Sequence, residues 1–360
     1  MASRVNMILT PDAIRYGYQA SVGASKLSHI GETAIPEGIF KQGLLVDKIK
    51  FKKLLEEVVK ANKKFRSRDL ALTLIDDAVY TNQVVLPGVL DVLEAAQYIR
   101  TQAGVGVDIP FDKAALSLDI LKYNERKGET HVMYYAYPDE SVQAIIEVFK
   151  SVHFRPVIID LSGPNVARYA TYINQYEPVH QMVVQWHKSG LYVSVYNKGR
   201  LKFTRMVKQA IMPGAKFSEI KSMIESEALQ VSRLIEYYQT RMIEHSEKRG
   251  TRRSSIDYIE RVVLSGDFEY IDTAVEVLKD ALDVPVYTFD DLPLKKLNLP
   301  DIDIHANKHG RSTRSAAAYK FLKYIDLLGL SIRSVVHQAQ IEVPRQKVDK
   351  KAAKKQKKGR

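Results

Sequence analysis

The sequence predicts a two-lobed α/β fold in which a β-β-β-α unit occurs twice, and three observations predict it. First, residues 179–208 read as a meander. An apolar strand (Met182, Val183, Val184) is followed by a turn at Lys188-Ser189-Gly190. The second strand alternates Leu191, Val193 and Val195 with Tyr192, Ser194 and Tyr196, and after Asn197-Lys198-Gly199 a third carries Leu201 and Phe203. Second, residues 5–34 have the same outline: Val5–Leu9, the turn Thr10-Pro11-Asp12, then Ile14–Ala20 and Lys26–Ala34 around Val22-Gly23-Ala24. Third, each meander leads into an amphipathic helix, at a repeat spacing of roughly 170 residues. Two related halves facing each other across a cleft satisfy this pattern. Hairpins followed by helices also occur in α/β chains without duplication.

The chain has 360 residues, enough for two domains and a substantial core, and its 45% hydrophobic and 27% charged content is that of a globular protein. No apolar run reaches the 18 or so residues of a membrane span, and the N-terminus lacks a signal-peptide core. The absence of cysteine excludes disulfides and thiolate chemistry and fits a reducing, cytoplasmic setting. Net charge is +12, of which residues 341–360 hold +7, with seven Lys and two Arg against Glu342 and Asp349. This tail, with Lys350, Lys351, Lys354, Lys355, Lys357 and Lys358, has almost no apolar residue and is expected to be disordered. It suits an anionic membrane surface, at about 1 kcal/mol per basic residue, or nucleic acid, or simple solubility. The mildly basic body argues against a specific nucleic-acid ligand.

In order, Ile35-Pro36-Glu37-Gly38 opens a shaped loop, and Asp47 is the expected N-cap of a helix with Phe51, Leu54, Leu55, Val58 and Val59 on one face. Ala71–Ile75 and Val79–Leu86 read as strands around Asp76-Asp77. Pro87-Gly88 marks a boundary, followed by the helix Val89–Thr101 and strands Ala114–Tyr123 and Thr130–Tyr137. A helix then starts near Pro138, with Asp139 and Glu140 in its first turn. Pro156–Asp160 is a buried strand, and Gly163-Pro164-Asn165 opens another helix. After Pro213-Gly214, a long helix covers Ser218–His245 and the loop Glu247–Ser255 is polar. Tyr258–Leu264 and Val284–Tyr287 read as strands on either side of a helix, 288–313 as irregular, and Ser315–Leu328 as helix.

Several short phrases stand in a distinctive order and spacing. Early ones are Ile35-Pro36-Glu37-Gly38 with Val46-Asp47, Val84-Val85-Leu86-Pro87 with Glu94, Ile109-Pro110-Phe111 and Val157-Ile158-Ile159-Asp160. Later ones are Leu234–Tyr238, Val262-Val263-Leu264-Ser265-Gly266, Val284-Pro285-Val286 and Leu328-Gly329-Leu330-Ser331-Ile332-Arg333. Over residues 5–336 this resembles the PilM group of actin-like proteins of type IV pilus assembly, itself close to the FtsA group. The resemblance implies an actin-like (ASKHA, ribonuclease-H-like) duplicated α/β fold with a FtsA/PilM-type inserted subdomain. The expected parts are a first half at 1–86, completed by 156–178 and 313–338, an insert at 87–155, a second half at 179–312 and a tail at 339–360. It also implies a cytoplasmic scaffold at the inner face of the membrane, in a type IV pilus or competence pseudopilus complex. Such a scaffold binds the cytoplasmic segment of a bitopic PilN-like protein, and Pro36, Phe40, Leu44 and Leu45, with the helix from Val89, are the segments available to line that peptide cleft.

The nucleotide positions depart from this group. Taking Ile14-Arg15 as the usual Val-Lys pair, the Asp and Gly of the first phosphate loop fall on Ile8 and Thr10, and those of the second on Gln185 and His187. The adenosine motif, usually Ser-Gly-Gly-Gly, reads Ser265-Gly266-Asp267-Phe268. Ile cannot organise Mg²⁺ and water, and Asp267 brings negative charge towards phosphate. A pseudo-ATPase with no cofactor is the expectation, with Thr10, Asp12, Gln185, Ser189, Gly190 and Gly266 as a vestigial cleft. The alternative is an ATPase binding ATP with Mg through diverged loops, and a more distant one is a polymerising FtsA-like protein. Other nucleotide and hydrolase motifs are absent. His305 and His309 read as loop residues rather than metal ligands, Asp76-Asp77 and Asp290-Asp291 as turn acids, and Arg252-Arg253-Ser254-Ser255 as a solvated loop. Trp186 is expected in the core or lining the cleft.

Overall fold

The computed structural model describes residues 3–21, 27–66, 68–173, 179–187, 190–197, 200–208, 215–247, 258–289 and 322–333. Outside them lie the turn at 22–24, Ser189, Pro213-Gly214, residues 248–255, Asp290-Asp291, His305, His309, the start of the last helix at Ser315, and the basic tail with its lysines from Lys350 to Lys358.

The chain begins with β1 (Arg4–Leu9), β2 (Ala13–Gln19) and β3 (Ser28–Ala34), then a short hairpin of β4 (Phe40–Lys41) and β5 (Leu44–Leu45), α1 (Lys48–Ala61) and β6 (Asp69–Thr73). Next come β7 (Tyr80–Pro87), α2 (Val92–Gln102), β8 (Ala114–Asn124), β9 (Glu129–Pro138), α3 (Asp139–Ser151), β10 (Arg155–Asp160) and α4 (Ser162–Ile173). The second half holds β11 (His180–His187), β12 (Gly190–Asn197), β13 (Arg200–Lys208), α5 (Phe217–Glu247), β14 (Arg261–Gly266), α6 (Ile271–Ala281) and β15 (Val286–Thr288). Helix α7 (Ile325–Ile332) follows.

Two five-stranded sheets share one topology. Their orders, β3-β2-β1-β6-β10 and β13-β12-β11-β14-β15, each join an antiparallel meander to two parallel strands. Period-2 alternation decides what each face of β1 meets. Val5, Met7 and Leu9 join Phe51, Leu54, Leu70 and Phe149 in one core, whereas Ile8 joins Ala71 and Ile158 in the other. That second core runs beneath the cleft between the lobes, for it also contains Tyr169 of α4, Trp186, Ile224 and Leu234 of α5, and Leu327 of α7.

Helix starts follow local chemistry. Asp47 caps α1 by accepting the Lys50 N–H at 2.9 Å, as its position predicts. Asp91 and Glu94 form a reciprocal capping box at α2, a signal the sequence reading passed over. The far end of the chain returns to the beginning: Arg4 donates to the carbonyls of Leu330, Ser331 and Arg333 at 3.4, 2.9 and 3.0 Å, capping the last turn of α7. This helix runs through Gly329 because a Cβ there would lie 1.8 Å from the Asn165 carbonyl oxygen of α4, so close packing, not helix termination, demands the glycine.

Two expected boundaries move. The strand expected at Val79–Leu86 and assigned to the first half is β7, Tyr80–Pro87, and it pairs instead with β9 in a β7-β9-β8 sheet that carries α2. Helix α3, assigned to the insert, packs in the first lobe, its Phe149 edge-on to Phe51 at 5.8 Å. The insert therefore spans 80–138. Alternation in a sequence tells which residues share a face, but not which strand lies alongside.

Candidate functional site

The C-terminal ends of the central parallel strands converge on a cavity of about 200 Å³ between the lobes, where open α/β sheets place ligands. Ile8, Leu9, Thr10 and Asp12 reach it from β1 and its turn. Asp76 comes from the segment after β6, Ser162 from the start of α4, His187 from β11, Asp267 from just beyond β14, and Asp326 from α7. The expected cleft residues separate at this point. Thr10 and Asp12 line this cavity, Gln185 lines a neighbouring one, and Gly190 and Gly266 contribute to neither lining.

The first turn satisfies itself. The Thr10 N–H donates to the Ala13 carbonyl at 2.9 Å, its hydroxyl lies 2.9 Å from an Asp12 carboxylate oxygen, and the Ala13 N–H donates to that hydroxyl at 3.0 Å. At the opposite wall, Gly190 faces His187 across the β11–β12 hairpin. Gly266 adopts φ +122°, and a Cβ there would sit 2.0 Å from the Trp186 carbonyl oxygen. The glycine thus serves contact with β11. Phe268 is buried, with its ring stacked on Trp186 at 5.2 Å, so the tryptophan belongs to the core and the motif's fourth position is filled by a ring.

Charge is organised across the lobes. Arg15, on the inward face of β2, has a side chain only 1% exposed, and its guanidinium pairs with Asp267 of the opposite lobe. It also donates to Glu32 at 3.0 Å and to the Lys323 carbonyl at 3.2 Å, while Lys323 bridges to Glu32 at 2.6 Å. His187 Nδ1 lies 3.0 Å from the second Asp267 oxygen. Burial pushes the Asp267 carboxyl upward, but the hydrogen bond and charge of His187, with Arg15 and Lys323, hold it far below the usual carboxylate range. For Arg15, burial disfavours the charge and the surrounding carboxylates more than restore it. Asp76 behaves oppositely. Burial, reinforced by Asp326 and Asp77, pushes its carboxyl up to about 7 against the 3.2 Å bond it accepts from the Ser162 N–H. Burial raises Asp326 as well, against the nearby charge of Arg15.

Among the described residues lining the cavity, the ionisable groups are Asp12, Asp76, Asp267 and Asp326, with His187 and Tyr192. This set opposes a phosphate chain. The nearby guanidinium is occupied by Asp267, and the Ser162 amide at the start of α4 is occupied by Asp76. Sequence reasoning missed this network because Arg15 and Asp267 are 252 residues apart; the alternation of β2, which puts Arg15 on the same face as Ala13 and Gly17, was the available signal.

The proposed peptide-cleft residues form a compact corner. Phe40 meets Phe51 edge-on at 5.1 Å, Leu44 and Leu45 are half-buried against the first-lobe core, and Pro36 is exposed. Tyr137 fixes the hairpin by donating to the Gly43 carbonyl at 2.6 Å. The exposed apolar side chains nearby in sequence are Val46 and Ile49, 57% and 72% exposed, and the insert exposes Val85, Val89 and Leu93. No helix among the described residues is long and apolar enough to cross a membrane.

No protein-family model matches the chain, and comparison with curated proteins finds no match. Solved structures do match. The PilM-PilN type IV pilus biogenesis complex is similar over 92% of this chain and 98% of its own, at 14% identity and a TM-score of 0.66. The ethanolamine utilization protein EutJ of Carboxydothermus hydrogenoformans matches over 93% and 90% of the two chains, with 12% identity and a TM-score of 0.48. A Bacteroides thetaiotaomicron protein with an actin-like ATPase fold matches over 80% and 91%, with 10% identity and a TM-score of 0.40. With its duplicated sheets, the cleft at their strand ends and a full-length likeness to the PilM-PilN structure, the chain has the actin-like α/β fold.

Proposed function

We propose that this chain is a non-enzymatic, actin-like scaffold of a type IV pilus or related competence assembly machine. It works at the cytoplasmic face of the membrane by binding the cytoplasmic segment of a bitopic PilN-like protein. The observation that carries the reading is the full-length likeness, at a TM-score of 0.66, to a PilM-PilN complex. The cleft supports the non-enzymatic half, because an ion pair spans it and, among the described residues, the lining offers Asp12, Asp76 and Asp326 but no free Lys or Arg side chain to a phosphate. The exposed apolar side chains Val46 and Ile49 flank the segment assigned to the peptide. In this reading the basic tail adds attraction to anionic lipid.

Two titrations of the purified chain test it. A labelled peptide copying the cytoplasmic leader of the cell's own PilN-like protein should bind saturably, and Ile49→Glu, which replaces an exposed apolar side chain by a charged one, should weaken it; no binding by fluorescence anisotropy sinks the scaffold reading. MgATP should produce neither heat nor a melting shift. A nucleotide present at 100 times its dissociation constant would add about 2.7 kcal/mol of stability. Such a shift would favour the second reading, an ATPase whose diverged loops still close on ATP, for which the cavity at the strand ends speaks.

A further inference from the structure

We propose that the cavity adjoining the cleft is a binding site for a guanidinium or ammonium group, carried by a free organic cation or by an Arg or Lys side chain of a partner. It measures about 330 Å³ and lies where three units meet: Tyr80 and Tyr135 come from the insert, Asp76 from the first lobe, and Tyr192, Tyr196 and Gln185 from the second. That volume is in the range of pockets that take small ligands.

Every one of these phenols is fixed by the bond its hydroxyl donates. Tyr80 donates to Asp108 at 2.5 Å, Tyr135 to Asp119 at 3.4 Å, Tyr192 to Asp77 at 2.5 Å and Tyr196 to the Gly163 carbonyl at 2.9 Å. The rings are therefore held in place, and three of their four acceptors are carboxylates. Their negative potential adds to that of the aromatic faces, an environment that attracts a weakly hydrated cation. Asp76 supplies the direct acceptor. Its Oδ1 takes the Ser162 amide at 3.2 Å, and no described residue bonds its Oδ2. Burial raises its carboxyl to about 7, so a cation beside it would draw the proton off and complete the pair. Arg205, the basic side chain in the lining, is exposed and makes no ion pair with Asp76. Gln185 is held by Ser162 at 2.8 Å, which fixes the wall towards the first cavity.

The test titrates the full-length chain with ethylguanidinium chloride, with N-acetyl-arginine amide, and with the uncharged analogue ethylurea, at matched ionic strength. Binding is read by calorimetry and by emission of Trp186, the single tryptophan, which neighbours Gln185 in the chain. Saturable binding of a guanidinium probe without binding of ethylurea is expected. If N-acetyl-arginine amide binds at least as tightly as ethylguanidinium, the site admits a partner's side chain; if only ethylguanidinium fits, the ligand is a small free cation. Asp76→Asn should weaken binding roughly tenfold or more, the effect of losing one charge-assisted bond. Thr204→Arg should weaken it by adding a second cation to the lining beside Arg205 and filling part of the cavity. Failure of both guanidinium probes to saturate, equal binding of ethylurea, or unchanged affinity in a folded Asp76→Asn or Thr204→Arg variant would overturn the proposal.

Discussion

Replacing Asp267 by Asn tests whether charge holds the two lobes together. The Asp267 side chain is 7% exposed, and its carboxylate meets Arg15, 1% exposed, as well as His187 at 3.0 Å. An amide keeps the shape and removes the charge. Arg15 would retain Glu32 at 3.0 Å and the Lys323 carbonyl at 3.2 Å. The loss therefore belongs at the lower end of what removing one partner of a buried pair costs, about 3 kcal/mol. With a urea m-value of about 3 kcal/mol/M, the unfolding midpoint should fall by about 1 M. Removing both charges in Arg15→Met/Asp267→Leu should recover most of that. The sign of the pH dependence is fixed as well. Because the folded carboxyl is held below its unfolded value of about 4, the pair's stability is fully present above that pH and is lost as pH falls through the folded value. The gap between wild type and Asp267→Asn must then shrink in acid. Equal midpoints at pH 7, or a gap that survives acidification, would refute the argument.

Asp76, whose carboxyl is raised to about 7, should do the reverse. It favours the fold below pH about 4, and that contribution is lost as pH rises through 7, so Asp76→Asn should be more stabilising at pH 8 than at pH 5 by urea titration. Gly266→Ala should cost about 3 kcal/mol or more, through the 2.0 Å approach to Trp186 and the positive φ. Gly38→Ala, at φ +85° with open space around it, should cost only about 1 kcal/mol, and a melt of each separates crowding from backbone strain. Arg4→Met should lower stability by about 2–3 kcal/mol by uncapping α7, and the loss should be visible as faster amide exchange at Leu330 and Ser331.

Much of the architecture was legible because it is written locally. The alternation of β12, the cap at Asp47 and the proline near the start of α4 each announce themselves within a few residues. Long-range pairing does not. A run such as Tyr80–Pro87 reads equally well as the edge of either neighbouring sheet, and only its register with β9 decides. Gly329 looks like a helix terminator until Asn165 is seen against it. The site shows the same divide. Reading Asp267 as a misplaced charge was sound chemistry for a phosphate, yet the carboxylate already has a partner that no spacing rule could supply. Arg15 lies at the other end of the chain, and a basic residue in a strand looks the same whether it faces water or another lobe.

The interlock between Arg4 and α7 bears on how the protein emerges from the ribosome. The first lobe's sheet is complete at Asp160, but the helix whose leucines and serine close it begins at Ile325. The strands and helices of the second lobe, from His180 to Thr288, are contiguous and need no such wait for their own sheet. At about 5–20 residues per second, synthesis between those two points lasts on the order of ten to thirty seconds. During that interval the inner face of β1 and β6 has α4, whose Val166 and Tyr169 share its core, but lacks the leucines of α7, and nascent-chain binders have their longest opportunity. Truncation before Ile325 should therefore yield an aggregating first lobe beside a second lobe whose sheet is already formed.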